Sequence, residues 1–486
     1  MTRVVVIGAG ITGLAAAHRL LELAREREER LDVCCLEASG RPGGLLESER
    51  TDEGYLIEHG PDAILTSKPA ALKLAERLGL EDRIVRTRPE NRGAFVVRGG
   101  RLERVPAGFQ VVAPTKLGAL WRSPVLTRGA KLRASLEPLL PRGPAAADES
   151  LGSFVRRRFG PEILERLSQP MAGGIYGAPP DRLSLRATMP RFLDVETQAR
   201  SVTLGLRAQA RREGTADEAG ARYGLFISFG EGVEVLPRAL AERLGDRLRL
   251  HAPVRAIARE GQGWRVALEV ETLAADGVIV ALPAPRAAPL VRPHLPASAD
   301  QLDAVRHGSA ATVTLAFARE DVAHPLGASG FVVPAVEGRV LLAATWASEK
   351  WPDRAPPDRV LIRVFLGGND REEVAVHGEE ELVAAARRGL RELMGIEAPP
   401  LLQRVDRYLG NMPRYELGHG ARMDQVEAEV RRLPSLELAG NAYRGVGIPD
   451  SIASGERAAE ALLAQLSGPS RGVSGLGTGV SKDGMA

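Results

Sequence analysis

The sequence predicts an α/β fold joined to an α+β fold: a Rossmann-like nucleotide-binding domain built from separate segments, a mixed-sheet second domain, and a helical insertion. Three observations predict it. A β-branched run from Thr2 to Gly8 leads through glycines into a helical pattern and then a second apolar run. Between about 300 and 430, short strand-like runs mix with one long helical pattern. After Val112 the chain turns basic, helical and proline-punctuated. At 486 residues it suits two or three domains that share strands. Apolar residues are 44% and charged residues 26%, a globular composition that excludes disordered and fibrous classes. The formal charge of +3 is too small to imply a nucleic-acid partner, and none is expected.

Thr2 to Gly8 reads as a strand buried on both faces. From Gly13 to Glu29, Leu14, Ala17, Leu20, Leu21 and Ala24 recur at helical spacing, and Leu31 to Glu37 completes a right-handed βαβ unit. A helix follows from Pro69 to Leu78, then a hairpin over Phe95 to Pro106 that turns at Gly99-Gly100. Val112 to Gly160 holds nine Lys or Arg against three Asp or Glu, which reads equally as a solvated helical lid or a membrane-facing surface. Leu225 to Phe229 and a helix to Leu244 return to the first domain, followed by RLRLHAPVRAIARE and DGVIVALP as strands. Ala311 to Phe317, Gly330 to Pro334, Val340 to Thr345 and Val360 to Phe365 are the second domain's strands, and Glu379 to Met394 its helix. A strand at Leu436 to Ala439 and a helix from Pro449 to Leu466 close the fold; residues 467–486, half of them Gly or Ser, are expected to be disordered.

GAGITG at Gly8 to Gly13 is a dinucleotide fingerprint in its proper setting, with a strand before it, a helix after it, and Glu37 ending the next strand. Its glycines admit a pyrophosphate to the helix N-terminus, and Glu37 is placed for the ribose hydroxyls. After Glu37 comes ASGRPGG, which sets Arg41 near the diphosphate and Gly43-Gly44 where backbone passes close to a ring; this is an FAD arrangement rather than a nicotinamide one. At the far end, Gly440, Gly445 and Gly447 precede a helix with Pro449 in its first turn, whose N-terminus suits an anionic reduced flavin. The two cysteines, Cys34 and Cys35, are adjacent in a strand, so no disulfide framework exists and a cytosolic compartment is expected. The eight histidines show no metal-ligand spacing; they read as structural, and no metal is expected. Glu196, Arg200 and Arg207 read as surface pairs.

The fingerprint with Glu37 and GRPGG, EHGPDA at Glu58 to Ala63, MAGGIYGAPPDRLSL at Met171 to Leu185, KWPDRAP at Lys350 to Pro356 and GNAYRGVGIPDSI at Gly440 to Ile452 resemble the oxygen-dependent porphyrinogen oxidases of haem synthesis, the protoporphyrinogen and coproporphyrinogen oxidases. The resemblance runs over about residues 2–466, and GIYGAPPDRLSL is its specific part. It implies non-covalent FAD, removal of six electrons from a porphyrinogen, dioxygen as acceptor and hydrogen peroxide as by-product. It also implies an FAD domain of residues 1–88, 225–284 and 434–466, a substrate domain of 89–110, 205–224 and 285–433, and a helical domain of 111–204 that docks peripherally on the inner face of the cell membrane. A homodimer is left open.

The implied FAD contacts are Gly8, Ala9, Gly10, Ile11, Thr12, Gly13, Leu14, Glu37, Ala38, Arg41, Gly43, Gly44, Gly60, Pro61, Asp62, Ala63, Val254, Tyr408, Gly440, Val446, Gly447 and Ile448. Tyr408 stands where family members often have tryptophan. On the substrate side the resemblance implies Val332, Trp351 stacked on a pyrrole ring, and Gly174, whose carbonyl faces the reacting bridge. A second departure is Ala94, where protoporphyrinogen-specific relatives carry a propionate-pairing arginine; Arg92, on the same strand face by period two, is the expected substitute and implies a more permissive pocket. The rivals are another flavin amine oxidase, a carotenoid desaturase, or a flavin-binding module without turnover. Covalent flavinylation is excluded because no cysteine lies near the C-terminal motif.

Overall fold

The computed structural model describes residues 1–143, 148–212, 226–368 and 371–467. Leu225 and almost all of the expected disordered tail lie outside them. Five strands form an all-parallel sheet in the order Leu248–Arg249, Leu31–Leu36, Thr2–Ile7, Gly277–Val280, Leu436–Leu438. Both faces are covered, which is why these strands read as unbroken apolar runs. Val4, Val6, Cys35 and Ile279 face a core shared with helices Ile11–Glu26, Ala70–Leu78, Val235–Leu244 and Ile448–Leu466. Val5, Ile7, Val278 and Val280 face the opposite core, where Cys34 also packs, so the two free thiols lie on opposite faces.

Helix Ile11–Glu26 begins two residues before Gly13 because Gly10 already serves as its N-cap. The last helix packs against it through Gly455, where a Cβ would lie 2.1 Å from the Thr12 carbonyl oxygen. Arg19 binds Glu460 and Arg27 binds Ser467, so the two helices run parallel with their N-termini at the same end.

The stretch RLRLHAPVRAIARE is not one strand. Leu248–Arg249 joins the parallel sheet, His251 turns the chain with φ 52°, and Ala256–Glu260 opens a three-stranded antiparallel sheet with Gly263–Ala267 and Thr272–Ala275. The span 285–433 does not belong wholly to the second domain. Helices Ala284–Val291, Pro296–Asp303 and His419–Val430 bury Ala287, Leu290, Leu302, Met423 and Val426 in the core beneath the parallel sheet, not in the second domain.

The second sheet has seven strands in the order Leu402–Pro413, His307–Ala318, Arg359–Gly367, Leu341–Trp346, Gly330–Val332, Phe95–Arg98, Arg101–Arg104. All pairs are antiparallel except Gly330–Val332 with Phe95–Arg98. Gly99 and Gly100 turn the hairpin at φ 56° and 76°, the left-handed pair that a tight two-residue hairpin demands. Helix Glu379–Met394 covers one face through Leu382, Ala386 and Leu390.

Helices Leu117–Arg122, Arg128–Ser135, Leu151–Phe159, Gln169–Tyr176, Arg191–Ala199 and Val202–Arg212 surround a third core of Leu120, Phe154, Phe159, Leu167 and Phe192. Leu206 belongs to that core, so residues 205–212 continue the helical region rather than the substrate domain. Fully buried Glu137 binds Arg158 and accepts from the Val202 and Thr203 N–H groups, capping the final helix from a distance. Glu196 pairs with Arg157, and Arg200 donates to the Leu139 and Leu140 carbonyls, so neither makes the surface pairs the spacing suggested. Among the described residues no helix is long and apolar enough to cross a membrane.

Candidate flavin site and adjoining cavity

The fingerprint loop folds tightly because two of its glycines touch. A Cβ on Gly13 would lie 1.8 Å from the Gly8 carbonyl oxygen, and one on Gly8 would lie 2.6 Å from the Ala281 oxygen. Gly10 differs: a Cβ there would meet nothing within 4 Å. Open space therefore stands over the N-terminus of helix Ile11–Glu26, whose cap makes no side-chain hydrogen bond. The helix's first N–H groups, on Ile11, Thr12 and Gly13, and the positive end of its dipole form a seat for a pyrophosphate, while the Leu14 N–H already donates to the Gly10 carbonyl at 3.0 Å. The Gly43 N–H donates to the Ala9 carbonyl at 2.8 Å, so GRPGG runs beside this seat, and Gly44 packs its backbone near Gly10.

The Glu37 carboxylate accepts from the Ala9 N–H at 2.8 Å on one oxygen and from Ser39 N–H and Oγ at 2.9 and 2.8 Å on the other. It thus faces the fingerprint loop, with exposed Ala38 beside it. The backbone of Arg249 and Ala252 pairs with Glu37 at 2.9 and 2.8 Å, which brings Val254 to the same end of the groove. Arg41 lies in the GRPGG loop, whose Gly44 packs near Gly10. It donates to the Gly44 carbonyl at 2.7 Å and pairs with Glu47 at 2.5 Å, bracing its own loop.

Gly60 is pressed against this loop, since a Cβ would lie 1.8 Å from the Leu45 oxygen. Pro61 and Ala63 flank Asp62, whose carboxylate binds Lys350 at 2.7 Å and the Trp351 Nε1–H at 3.0 Å. Burial alone would raise the Asp62 pKa, but Lys350 and these donors hold it well below the usual carboxylate range. Trp351 is 0% exposed and committed to Asp62. It is a core residue and is not presented for stacking on a substrate ring. Tyr408 hydrogen-bonds through its hydroxyl to the His59 carbonyl, and Arg363 binds both the Tyr408 hydroxyl, at 2.7 Å, and the Gly60 carbonyl. His59 bridges Asp406 and Glu49 at 2.7 and 3.0 Å, and Asp406 foremost raises its pKa. Arg363 escaped the sequence reading because a lone arginine in an apolar strand looks like a sheet-edge residue.

Gly440 has φ 144°, and Gly447 caps helix Ile448–Leu466 while donating to Asp450 at 3.2 Å. Gly455 meets Thr12, and seven residues of helix separate it from Ile448, so this N-terminus stands about 10 Å beyond the pyrophosphate seat. Val446 packs on the helical core together with Val332 and Met171. Gly174 lies on the same helix as Met171, three residues on and thus on the same face, with open space where its Cβ would be. It supplies one of the helix's last four carbonyls, at the negative end of the dipole.

Met171 also forms the wall of a cavity of about 770 Å³ between the hairpin and the helical region. Arg92, Ala94, Arg104, Lys116 and Arg122 share that wall, with Glu103 as its carboxylate. The strand starts at Phe95 and Gly93 has φ 106°, so the period-two argument for Arg92 does not hold. Arg92 reaches the cavity because the glycine bends the chain, not through strand alternation. The structure therefore brings Arg92 and the Gly174 helix, through Met171, to one cavity, packs Val332 and Val446 on the core of the helical region, and leaves Trp351 out.

A phosphate seat with a second helix N-terminus aligned beyond it is the arrangement of a flavin-dependent oxidoreductase. The chain belongs to the flavin containing amine oxidoreductase family, whose profile matches residues 11–463. It is 32% identical over 468 residues to coproporphyrinogen III oxidase of Bacillus subtilis (strain 168), covering 95% of this chain and 98% of that one. Against human protoporphyrinogen oxidase the identity is 30%, with 95% and 98% covered. Among solved structures, a provisionally named protoporphyrinogen oxidase from Exiguobacterium sp. 255-15 superposes with a TM-score of 0.83 at 32% identity, covering 96% and 99% of the two chains. Putrescine oxidase, at 18% identity and a TM-score of 0.67, shares the fold.

Proposed function

We propose that the protein is an FAD-dependent oxidase of haem biosynthesis that converts a porphyrinogen, coproporphyrinogen III or protoporphyrinogen IX, to the porphyrin. The observation that carries this reading is the cavity. Arg92, Lys116 and Arg122 line a largely apolar space that reaches Met171 on the helix of Gly174, while Arg104 is held by the Gly327 carbonyl and Glu103 is the one carboxylate in the lining. Such a lining suits an apolar macrocycle with carboxylate arms. It opposes a cationic amine, which disfavours an amine-oxidase role, and leaves its charges without purpose for a carotenoid.

Gly8 to Leu14, Glu37, Gly43, Gly44, Gly60 to Ala63, Val254 and Val446 to Ile448 hold non-covalent FAD in this reading. When bound, FAD would supply a two-electron oxidant for each methylene bridge, which loses a hydride while a pyrrole N–H loses a proton, with dioxygen reduced to hydrogen peroxide as the terminal acceptor. The protein's part is placement and charge. The cationic wall orients the carboxylates, the apolar wall excludes water, and the Gly174 carbonyl stabilises positive charge developing on the macrocycle. Anaerobic addition of coproporphyrinogen to the yellow protein is expected to bleach the flavin band, with porphyrin fluorescence appearing. A flavin that stays oxidised with both porphyrinogens would refute the assignment.

The protein works in the cytoplasm and, in the same reading, docks on the inner face of the cell membrane through the helical region. Trp121, Leu132, Leu136 and Leu139 are 45%, 54%, 43% and 71% exposed there. The charge pattern differs from the sequence expectation. Lys131 is buried and donates to the Trp121 carbonyl, Arg133 donates to the Arg157 and Arg158 carbonyls, and Lys116 lines the cavity. Arg122 also lines the cavity, so Arg128 is the one of these five that stays exposed on a helix carrying the apolar patch. It contributes about 1 kcal/mol on anionic lipid. Liposome flotation should therefore persist with only a modest decline at high salt, and equal soluble fractions with and without liposomes would sink the membrane contact.

A further inference from the structure

Helix Ile448–Leu466 is preceded by a loop whose shape decides where the helix N-terminus points. That loop is pinned from outside by two side chains of a neighbouring strip, Arg414 to Gly418, and the helix after it. The Tyr415 hydroxyl donates to the Asn441 carbonyl at 2.7 Å and accepts from the Gly445 N–H at 2.6 Å, spanning both ends of the loop. His419 stacks on Tyr415, centroids 3.9 Å apart and planes 14° apart, and its Nε2 lies 2.9 Å from the Tyr443 carbonyl. Since a carbonyl only accepts, Nε2 carries the proton. Burial pushes the His419 pKa down to about 4, so the ring stays neutral in that tautomer under ordinary conditions. Residues 441, 443 and 445 are thus held one after another by two side chains that are 1% and 2% exposed.

The same strip is fastened on its other side. The Tyr415 carbonyl accepts from the Ser184 N–H at 2.8 Å, and the Leu417 N–H donates to the Arg182 carbonyl at 2.8 Å. Asp148 accepts from both Gly418 N–H and Ser184 Oγ, at 2.8 and 2.6 Å. Ser184 and Arg182 end the MAGGIYGAPPDRLSL segment that carries Gly174.

We propose that Tyr415 and His419 are positioning residues of the flavin site, fixing the 441–445 loop so that Gly447 and the helix N-terminus keep their place against the ring, and tying that loop to the segment of Gly174. The inference rests on the FAD reading above. Neither residue touches the reacting atoms. They act through the loop, so their loss should alter the flavin before it alters substrate affinity.

The test compares wild type with Tyr415→Phe, His419→Phe and His419→Gln. Apoprotein is titrated with FAD, and the two-electron potential is measured against a redox dye. Wild-type apoprotein that takes up no FAD refutes the flavin reading itself, before any variant is made. Given uptake, Tyr415→Phe is expected to weaken FAD binding tenfold or shift the oxidised-to-reduced equilibrium tenfold, about 30 mV for two electrons. kcat should fall while the porphyrinogen KM stays within twofold. His419→Gln, which keeps a donor, should lie closer to wild type than His419→Phe, which keeps only the stack. Wild-type FAD affinity and potential in Tyr415→Phe overturn the proposal. Should that variant not fold, wild-type values in His419→Phe overturn it equally.

Discussion

Glu37→Ala is expected to lose FAD on a desalting column that leaves wild type yellow. In the proposed complex its carboxylate accepts the ribose hydroxyls, and two charge-assisted hydrogen bonds at roughly 1.5–3 kcal/mol each amount to about 3–6 kcal/mol. That is a weakening of roughly a hundredfold to ten-thousandfold. The structure adds a second route to the same loss. One Glu37 oxygen holds the Ala9 N–H and the other holds Ser39, so alanine also frees the fingerprint loop at the residue between Gly8 and Gly10. Glu37→Gln separates the two effects. Its amide oxygen still accepts from Ala9 but cannot accept from both hydroxyls, so it should retain part of the affinity. Full FAD occupancy in Glu37→Ala would remove the residue from the site.

Local signals carried the nucleotide-binding half. The strand Thr2–Ile7, the helix after it and the strand Leu31–Leu36 follow from a buried parallel sheet and a glycine turn, and each leaves a pattern within a dozen residues. The helix Glu379–Met394 was equally legible, because its apolar residues recur at helical spacing between a glycine before it and a glycine after it. Leu402–Pro413 was not. It is an edge strand whose side chains, Arg404, Asp406 and Arg407 among them, are mostly half-buried or exposed, so no apolar alternation announces it. The short helices Ala284–Val291 and Pro296–Asp303 were also missed, since each has only eight residues and their prolines read as breaks.

The site was legible where backbone geometry demands glycine and illegible where long-range packing decides. Gly8 and Gly13 are needed by contacts within their own loop, and the fingerprint spacing reports them. Trp351 shows the opposite. A tryptophan flanked by Lys350 and Pro352 fits a stacking platform or a core anchor equally, and only the hydrogen bond to Asp62, 289 residues away, decides for the core. Tyr415 and His419 left no usable trace: Tyr415 lies before a turn whose Gly418 has φ 82° and His419 opens the helix after it, so their stacking follows from the turn and not from helical spacing. The pair has no chemical meaning until the loop 441–445 is packed against it.

Arg92→Ala is expected to raise the KM for coproporphyrinogen with little change in kcat. Arg92 lines the cavity near Ala94, as does Met171 of the Gly174 helix, so a substrate carboxylate placed against Arg92 meets the charge on binding and keeps it through the reaction. Such uniform binding affects KM rather than kcat. Losing one member of a desolvated charged pair costs about 2–5 kcal/mol, which at the lower end is roughly a thirtyfold rise. Arg104 does not compensate, because it donates to the Gly327 carbonyl at 2.7 Å and lies over the Phe95 ring. The remaining partners for carboxylates are Lys116 and Arg122, on the helical side of the cavity. Cations on two sides favour a substrate with four carboxylates over one with two, so protoporphyrinogen should suffer less from Arg92→Ala and bind no better than coproporphyrinogen to wild type. Steady-state kinetics with both porphyrinogens, read by porphyrin fluorescence at low and high salt, decides the matter. A small, salt-sensitive change would place Arg92 at the rim, unchanged kinetics would remove it from the site, and a strong wild-type preference for protoporphyrinogen would refute the permissive pocket.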